Sequence, residues 1–283
     1  MLNRPRSKSN EHRIEGYEVG DLICSGGFSD VFKAIQVKNQ ILVAMKILNE
    51  AGCRVASLME KHHSTVWEGP LMKRLDHPNI ARCIDFSKKG RPYWIALEYL
   101  ERKASDYVGQ CNNKEEENRM IILLSEVISA VSYLHERGYI HRDLCMDNIL
   151  VDRAGTAKLI DFGLTIPTDS SVVKGRAGTP SYMAPEMIRS WTHTELTDIY
   201  SFGVVMYELI TARKPFRGKW KEERMTRSLN LIPLMPSQLG RYCSPELEEL
   251  LQSCLEKDPS KRIQSAREID NTLFLLRLKR GLT

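Results

Sequence analysis

The chain has 283 residues, of which 27% are charged, and its formal net charge is only +5. Such a small charge does not favour nucleic-acid binding, and no apolar run approaches the roughly 20 residues of a membrane-spanning helix. Residues 1–13 are basic and polar, which predicts a flexible tail and not a signal peptide. Seven cysteines are scattered without closely spaced pairs, which favours the reducing cytoplasm over a disulfide-bonded secreted protein.

Short alternating or β-branched runs predict five strands in the first third of the chain. They cover residues 17–23, 30–36, 41–48, 80–86 and 93–99. One helix is predicted over residues 54–75, where Leu71 and Leu75 belong to an apolar stripe that stops before Pro78. Residues 14–100 therefore predict an antiparallel five-stranded lobe with one helix.

After Leu100 the pattern changes to longer helices. They are predicted at residues 115–137, 197–211, 246–255 and 266–278, with Gly138 ending the first. The second of these is apolar almost throughout, so we expect it in the centre of a lobe. Residues 101–283 predict a mostly helical lobe, and the fold class is α+β with two lobes.

Three polar residues could supply the chemical groups that phosphoryl transfer needs, and a simple polar loop is the alternative interpretation. Asn148 follows Asp143 by five residues, and Asp161 follows Asp143 by eighteen. A carboxylate can take the proton of an acceptor hydroxyl, and carboxylate and amide oxygens are the ligands that Mg²⁺ prefers. Asp143 is therefore a candidate catalytic base, and Asn148 and Asp161 are candidate metal ligands.

A glycine-rich turn adds candidate phosphate contacts. Gly26 and Gly27 lie between the first two predicted strands, where backbone N–H groups can approach phosphate oxygens because no Cβ intervenes. Lys46 lies on the third predicted strand, where a single lysine is most often a solvated charge at the edge of a sheet.

The motifs and their order resemble those of eukaryotic-type protein kinases, over roughly residues 17–275. The matching segments are residues 24–31, 43–46, 141–148, 161–163 and 178–186. The resemblance implies ATP- and Mg²⁺-dependent transfer of the γ-phosphate to a protein substrate, with autophosphorylation, at a site between the two lobes. It implies that residues 14–100 bind ATP and that residues 101–283 carry catalysis and bind the peptide; the oligomeric state stays open.

The acceptor class follows from two segments of the same resemblance. Residues 178–186 (GTPSYMAPE) are similar to the end of the activation segment in serine/threonine kinases, where the threonine contacts the catalytic aspartate. Residues 200–203 (YSFG) resemble the tyrosine-kinase-like group of serine/threonine kinases. Serine and threonine hydroxyls are therefore the expected acceptors.

The resemblance also implies a role for each residue of the site. Lys46 would contact the α- and β-phosphates and pair with Glu68, Leu97 would stand behind the adenine, and Glu98 and Leu100 would offer it backbone hydrogen bonds. The implied catalytic residues are Asp143, Lys46, Asn148 and Asp161. The implied nucleotide-binding residues are Ile23, Gly26, Gly27, Ser29, Val31, Ala44, Lys46, Glu68, Leu97, Glu98, Leu100, Leu150 and Asp161.

Supporting roles are implied in the second lobe. Arg262 would pair with Glu186, Asp198 would brace the backbone of the catalytic loop, and Arg142 would meet a phosphate on the activation loop. Thr165, Thr168, Ser170 and Ser171 are the hydroxyls available there, and Ser170 and Ser171 are the leading candidates.

Three departures from the family pattern keep alternatives open. Cys24 and Ser29 stand where the family has its first and third glycine, and Cys145 stands where most serine/threonine kinases carry a lysine. We expect slower transfer than in a lysine-bearing relative. A nucleotide-binding pseudokinase or scaffold with weak activity is the alternative; a small-molecule kinase fits residues 178–186 less well.

Overall fold

The computed structural model describes residues 13–54, 68–87, 93–107, 111–169 and 178–282. The chain divides into two compact units. The first unit comprises Met1–Asp76 and Ala81–Leu100, and the second comprises His77–Ile80 and Glu101–Thr283.

The first unit is built on an antiparallel sheet of five strands. They are β1 (Tyr17–Ser25), β2 (Ser29–Gln36), β3 (Ile41–Leu48), β4 (Cys83–Phe86) and β5 (Trp94–Glu98). Their order in the sheet is β1-β2-β3-β5-β4, and all neighbours run antiparallel. The predicted five-stranded sheet is confirmed.

Alternating side chains of β2 and β3 form the core of this unit. Phe32 and Ala34 pack with Val43 and Met45, since successive side chains on a strand point to opposite faces. Burial of one face specifies the register, because a slip by one residue would expose the whole set. The register places Ala44 opposite Leu97.

Two predicted elements of the first unit differ from the structure. The fourth strand begins at Cys83 and not at residue 80, because Ile80 forms an isolated bridge with Leu159 instead. Of the helix predicted over 54–75, residues 68–74 are helical as α1 (Glu68–Arg74). Residues 50–54 are also helical, and residues 55–67 lie outside the described part of the chain.

The second unit is mostly helical, as predicted. Its helices are α2 (Lys114–Glu136), α3 (Pro185–Arg189), α4 (Glu195–Thr211), α5 (Lys221–Asn230), α6 (Pro245–Cys254) and α7 (Ala266–Arg280). Its short strands are β6 (Arg102–Lys103), β7 (Tyr139–Ile140), β8 (Ile149–Val151), β9 (Ala157–Leu159) and β10 (Ile166–Pro167). The sequence pattern predicts the bounds of α2, α4, α6 and α7 to within a few residues. It does not predict α3, α5 or the short strands.

Local chemistry sets the ends of α2. The side chain of Asn113 accepts a hydrogen bond from the backbone N–H of Glu116, and the first turn is acidic; both features stabilise a helix N-terminus. The helix stops before Gly138, whose φ of 74° suits glycine. Two of the four candidate catalytic residues, Asp143 and Asn148, lie in the segment that follows.

Helix α4 is buried along nearly its whole length, including Asp198 in its first turn. A buried carboxylate needs hydrogen-bond donors, which the candidate catalytic loop supplies. None of the helices in the described ranges combines the length and the apolar character that crossing a membrane requires.

Candidate active site

The carboxylate of Asp143 is held by hydrogen bonds from Thr179 and from Asn148 of its own loop. Its Oδ1 accepts from both the backbone N–H and the hydroxyl of Thr179, at 2.7 Å each. The amide Nδ2 of Asn148 donates to the Asp143 carbonyl at 2.8 Å and to its Oδ2 at 3.3 Å. These contacts bring together two of the candidate site residues, and they use the amide nitrogen of Asn148, so its oxygen is the atom suited to a metal.

Gly178 is required for this arrangement. Its φ is 103°, and a Cβ at this position would lie 2.5 Å from the carbonyl oxygen of Arg142. Only glycine allows both the left-handed backbone and the close approach. Gly178 thus lets the next residue, Thr179, reach Asp143.

Asp161 is linked to the same loop. The N–H of Ile160 donates to the carbonyl of Asn148 at 2.9 Å, so the two candidate metal ligands belong to adjoining backbones. Asp161 has a φ of 63°, an uncommon conformation for a residue with a side chain. Its Oδ1 accepts from the N–H of Gly163 at 3.1 Å, and the buried ring of Phe162 packs edge-on against His141.

Asp198 braces the backbone of the loop, as expected. Its carboxylate accepts from the N–H of His141 at 2.7 Å and from the N–H of Arg142 at 2.8 Å. It also contacts Nε2 of His135 at 2.9 Å. Burial alone would raise the pKa of Asp198, but the contact with His135 and the bonds from the loop outweigh it and hold the pKa below its ordinary value. The sequence gives no signal for His135, which is one polar residue in the last turn of a long helix.

Arg142 is a buried cation beside this brace. Burial lowers its pKa to about 10, against the opposing attraction of Asp198, so the guanidinium is charged at neutral pH. Its Nε has no hydrogen-bond partner among the described residues. Burial also lowers the pKa of His141, despite nearby carboxylates, which fits a packing role for its ring.

Lys46 and Glu68 form the expected ion pair in the first unit. Lys46 Nζ lies 2.9 Å from Oε1 and 2.8 Å from Oε2 of Glu68. Only 8% of the lysine and 4% of the glutamate are exposed. A buried bidentate pair fixes the direction of the lysine.

The candidate adenine contacts are spread over several strands. Leu97 is buried on β5, and Ala44 is half-buried opposite it. The N–H of Glu98 donates to the carbonyl of Arg82 at 3.0 Å, so only the Glu98 carbonyl can serve an adenine.

The remaining candidates differ in exposure. Val31 and Leu100 are half-buried, whereas Ile23, Gly26 and Gly27 are exposed. Leu150, also half-buried, lies on β8 in the second unit.

Glu186 and Arg262 form a second buried ion pair. Arg262 Nη1 lies 2.6 Å from Oε1, and Nη2 lies 3.0 Å from Oε2. Nη1 also donates to the carbonyl of Leu196 at 2.7 Å. The pair therefore anchors α3, which directly follows the segment that carries Thr179.

Comparison with known proteins shows the family to which this chain belongs. The model of the protein kinase domain matches residues 17–275. The chain belongs to the protein kinase family.

Individual relatives agree with this result. The cytokinesis protein sepH of Aspergillus terreus is 30% identical over 268 residues, which is 95% of this chain and 19% of that protein. Two proteins of Arabidopsis thaliana also match. The serine/threonine/tyrosine-protein kinase HT1 is 32% identical over 86% of this chain, and the serine/threonine-protein kinase AtPK1/AtPK6 is 30% identical over 89%. The chain spans 19% of the sepH protein, 62% of HT1 and 53% of AtPK1/AtPK6.

The donor atoms of this kinase domain fit the Mg–ATP that the family uses. Among the described residues, no three His, Cys, Asp or Glu side chains form a metal cluster. Asn148 and Asp161 instead offer two hard oxygen donors. In nucleotide sites Mg²⁺ commonly binds only one or two protein side chains, and phosphate and water oxygens complete its coordination shell.

Cys145 is the main departure of this kinase domain within the second unit. Its side chain is buried, with 2% exposed, and burial raises the pKa of its thiol to about 12, with Asp143 adding to the rise. The thiol is therefore neutral, and it provides no positive charge beside Asp143.

The candidate phosphorylation sites fall into two groups. Thr165 is buried and Thr168 is exposed. Ser170 and Ser171, the two leading candidates, lie outside the described residues.

Proposed function

We propose that this chain is a serine/threonine protein kinase that transfers the γ-phosphate of ATP to protein hydroxyls in a Mg²⁺-dependent reaction. The observation that carries the proposal is the carboxylate of Asp143, fixed by Thr179 and Asn148 within 3.3 Å. A base must be held in place to receive a proton from an acceptor hydroxyl.

Each polar residue then has a defined role. Asp143 orients the acceptor hydroxyl and takes its proton, and the oxygens of Asn148 and Asp161 would hold the metal. When bound, Mg²⁺ neutralises charge on the transferred phosphoryl group. Lys46, directed by Glu68, contacts the α- and β-phosphates.

The nucleotide's other contacts come mainly from residues 14–100. Gly26, Gly27 and Ser29 contact phosphate, and Glu98 and Leu100 offer backbone groups to adenine. Further apolar contacts to the adenine come from Ile23, Val31, Ala44, Leu97 and Leu150. Residues 101–283 carry the catalytic groups and bind the protein substrate.

The acceptor class is supported by Thr179 and by the relatives. Thr179 stands in the segment that resembles serine/threonine kinases and bonds directly to Asp143. Several matched proteins are named serine/threonine kinases. Autophosphorylation at Ser170 or Ser171 would place a phosphate for Arg142 to meet.

A cytoplasmic location is part of the proposal. None of the seven cysteines is joined to another cysteine by a disulfide bond, and most of them are buried. A chain whose cysteines form no disulfides fits a reducing compartment.

A nucleotide-binding protein with weak activity is the second candidate. Cys145 favours it, because its thiol is neutral and buried at the position where the family pattern of serine/threonine kinases has a lysine. The presence of Lys46, Glu68, Asp143, Asn148 and Asp161 together favours the active enzyme.

Phosphate transfer tests the proposal directly. The purified protein is incubated with Mg–ATP and myelin basic protein, and modified residues are mapped by mass spectrometry. We expect phosphoserine and phosphothreonine, and we expect their loss in Asp161→Asn. Nucleotide binding without any transfer would support the second candidate, and phosphotyrosine alone would refute the acceptor class.

A further inference from the structure

The side chain of Asn49 joins the end of β3 to the glycine-rich turn between β1 and β2. Its Nδ2 lies 3.3 Å from the carbonyl oxygen of Gly26 and 3.3 Å from that of Gly27. Its backbone N–H donates to the carbonyl of Phe28 at 3.1 Å. Three successive carbonyls of the turn therefore face Asn49.

The orientation of these carbonyls fixes the orientation of the amides that follow them. In a planar trans peptide the C=O and the N–H point in opposite directions. The N–H groups of Gly27, Phe28 and Ser29 must therefore point away from Asn49. Within the described residues, the amides of Gly27 and Phe28 donate to no backbone acceptor in the turn.

Such a row of amides is a binding surface for an anion. Successive N–H groups on one side of a turn form a concavity with positive potential, which suits phosphate oxygens. A Cβ built on Gly27 would meet nothing within 4 Å, so no described atom crowds the turn at this residue.

The amide of Asn49 has only one orientation that satisfies its partners. Its Oδ1 accepts from the N–H of Gly52 at 3.0 Å, as an N-cap does for the helical residues 50–54. The atom that faces the turn must therefore be the NH₂ group, which donates to carbonyls.

Gly52 allows the helical segment to lie against the turn. A Cβ on Gly52 would lie 2.0 Å from the carbonyl oxygen of Phe28. Any larger residue would push the helical segment away from the turn, and the Asn49 amide would move away from the turn with that segment.

We propose that Asn49 is a positioning residue that aims the amides of Gly27, Phe28 and Ser29 at the phosphates of a nucleoside triphosphate. The identity of that ligand, a nucleoside triphosphate, rests on the proposed function. Asn49 thereby supports a turn in which Cys24 and Ser29 replace two glycines of the family pattern. The turn is also closed by a bond from the N–H of Gly26 to the carbonyl of Ser29 at 2.8 Å.

The test compares ligands with and without phosphates. Asn49→Ser keeps a hydroxyl acceptor for the N–H of Gly52 but removes the amide that reaches the turn. Asn39→Ser is the matched control, because Asn39 is an exposed residue of the same unit whose Nδ2 donates to Gln36 at 3.2 Å. The dissociation constants of a non-hydrolysable ATP analogue and of adenosine are measured for each protein by calorimetry.

We expect Asn49→Ser to weaken binding of the ATP analogue about tenfold and to leave adenosine binding within about twofold. The control should change neither. Gly52→Ala, which disturbs the same contact from the other side, should repeat the pattern. Unchanged analogue binding in a folded Asn49→Ser variant, or equal weakening of both ligands, would overturn the proposal.

Hydrogen exchange of the ligand-free protein separates this proposal from the proposed function. If the wild-type protein binds neither ligand, the proposed function fails. The exchange rates of the backbone amides of residues 24–29 then still show whether Asn49 holds the turn. We expect faster exchange at Gly26 in Asn49→Ser, but not in Asn39→Ser. Equal exchange in all three proteins would show that Asn49 does not hold the turn.

Discussion

Asp143 gains its geometry from its neighbours and not from its own backbone. Thr179 and Asn148 bond to its carboxylate, and Asp198 fixes the two residues before it through their N–H groups. The bonds from Thr179 and Asn148 fix the carboxylate before a substrate binds, so less rotational freedom is lost on binding. The same logic applies to Lys46, which Glu68 holds from a different element.

Cys145 is the residue whose replacement should increase activity. We expect Cys145→Lys to raise the turnover number about tenfold, because a cation near the transferred phosphoryl group stabilises developing charge. The lysine stem is long enough to bury its methylenes while its ammonium group reaches polar surroundings. Steady-state kinetics with saturating Mg–ATP measures the change.

Cys145→Ala is the control for removing the thiol alone, and its turnover should stay near that of the wild type. Thermal unfolding of both variants verifies that they are folded. A folded Cys145→Lys protein that is no faster than Cys145→Ala would count against the role assigned to this position.

At the scale of elements, α3 depends on the ion pair of Glu186 and Arg262. We expect Arg262→Met to lower the free energy of unfolding by about 3–5 kcal/mol, because it leaves a largely buried carboxylate without its partner. Urea denaturation measures the loss. Arg119→Met is the matched control, since Arg119 and Glu115 form an exposed pair at 3.9 Å, and exposed pairs contribute little. Equal midpoints for the two variants would contradict the structural importance of the buried pair.

Lys257 ties α5 to α4. Its Nζ donates to the carbonyl of Ser228 at 2.7 Å and to the hydroxyl of Tyr200 at 3.1 Å. Burial, followed by the positive charge of Arg262, lowers the pKa of Lys257 from 10.5 to about 7, although Glu256 opposes the shift. Arg189 also lowers it.

A lowered lysine pKa makes stability depend on pH. Between about pH 7 and 10.5 the unfolded chain binds a proton at Lys257 that the folded chain does not. The free energy of unfolding therefore rises with pH across this window, and the contribution is absent in Lys257→Met. We expect the wild type to gain stability relative to Lys257→Met from pH 7 to pH 10, measured by urea denaturation at each pH. A difference that stays constant or shrinks would refute the shift.

Across the whole molecule, the sequence predicts two kinds of feature: elements with a periodic pattern of apolar residues, and residues that belong to a recognisable motif. The five strands follow from short runs of alternating or β-branched residues, and the pairing of Lys46 with Glu68 follows from the resemblance to protein kinases. Helix α5 escapes prediction because only Met225 and Ser228 are buried in it, which gives no apolar stripe. His135 and Asn49 escape for another reason: each is an ordinary polar residue until the fold places a partner beside it.

Asp143, held in place by its neighbours, is the base on which the proposed transfer of phosphate to serine and threonine depends. The most direct measurement is the turnover of Asp143→Asn beside the wild type, together with the dissociation constant of Mg–ATP for both. We expect a loss of at least about a hundredfold in turnover with an unchanged dissociation constant, because asparagine keeps the shape of aspartate but cannot take the proton. A variant that transfers phosphate as fast as the wild type would contradict this role of Asp143.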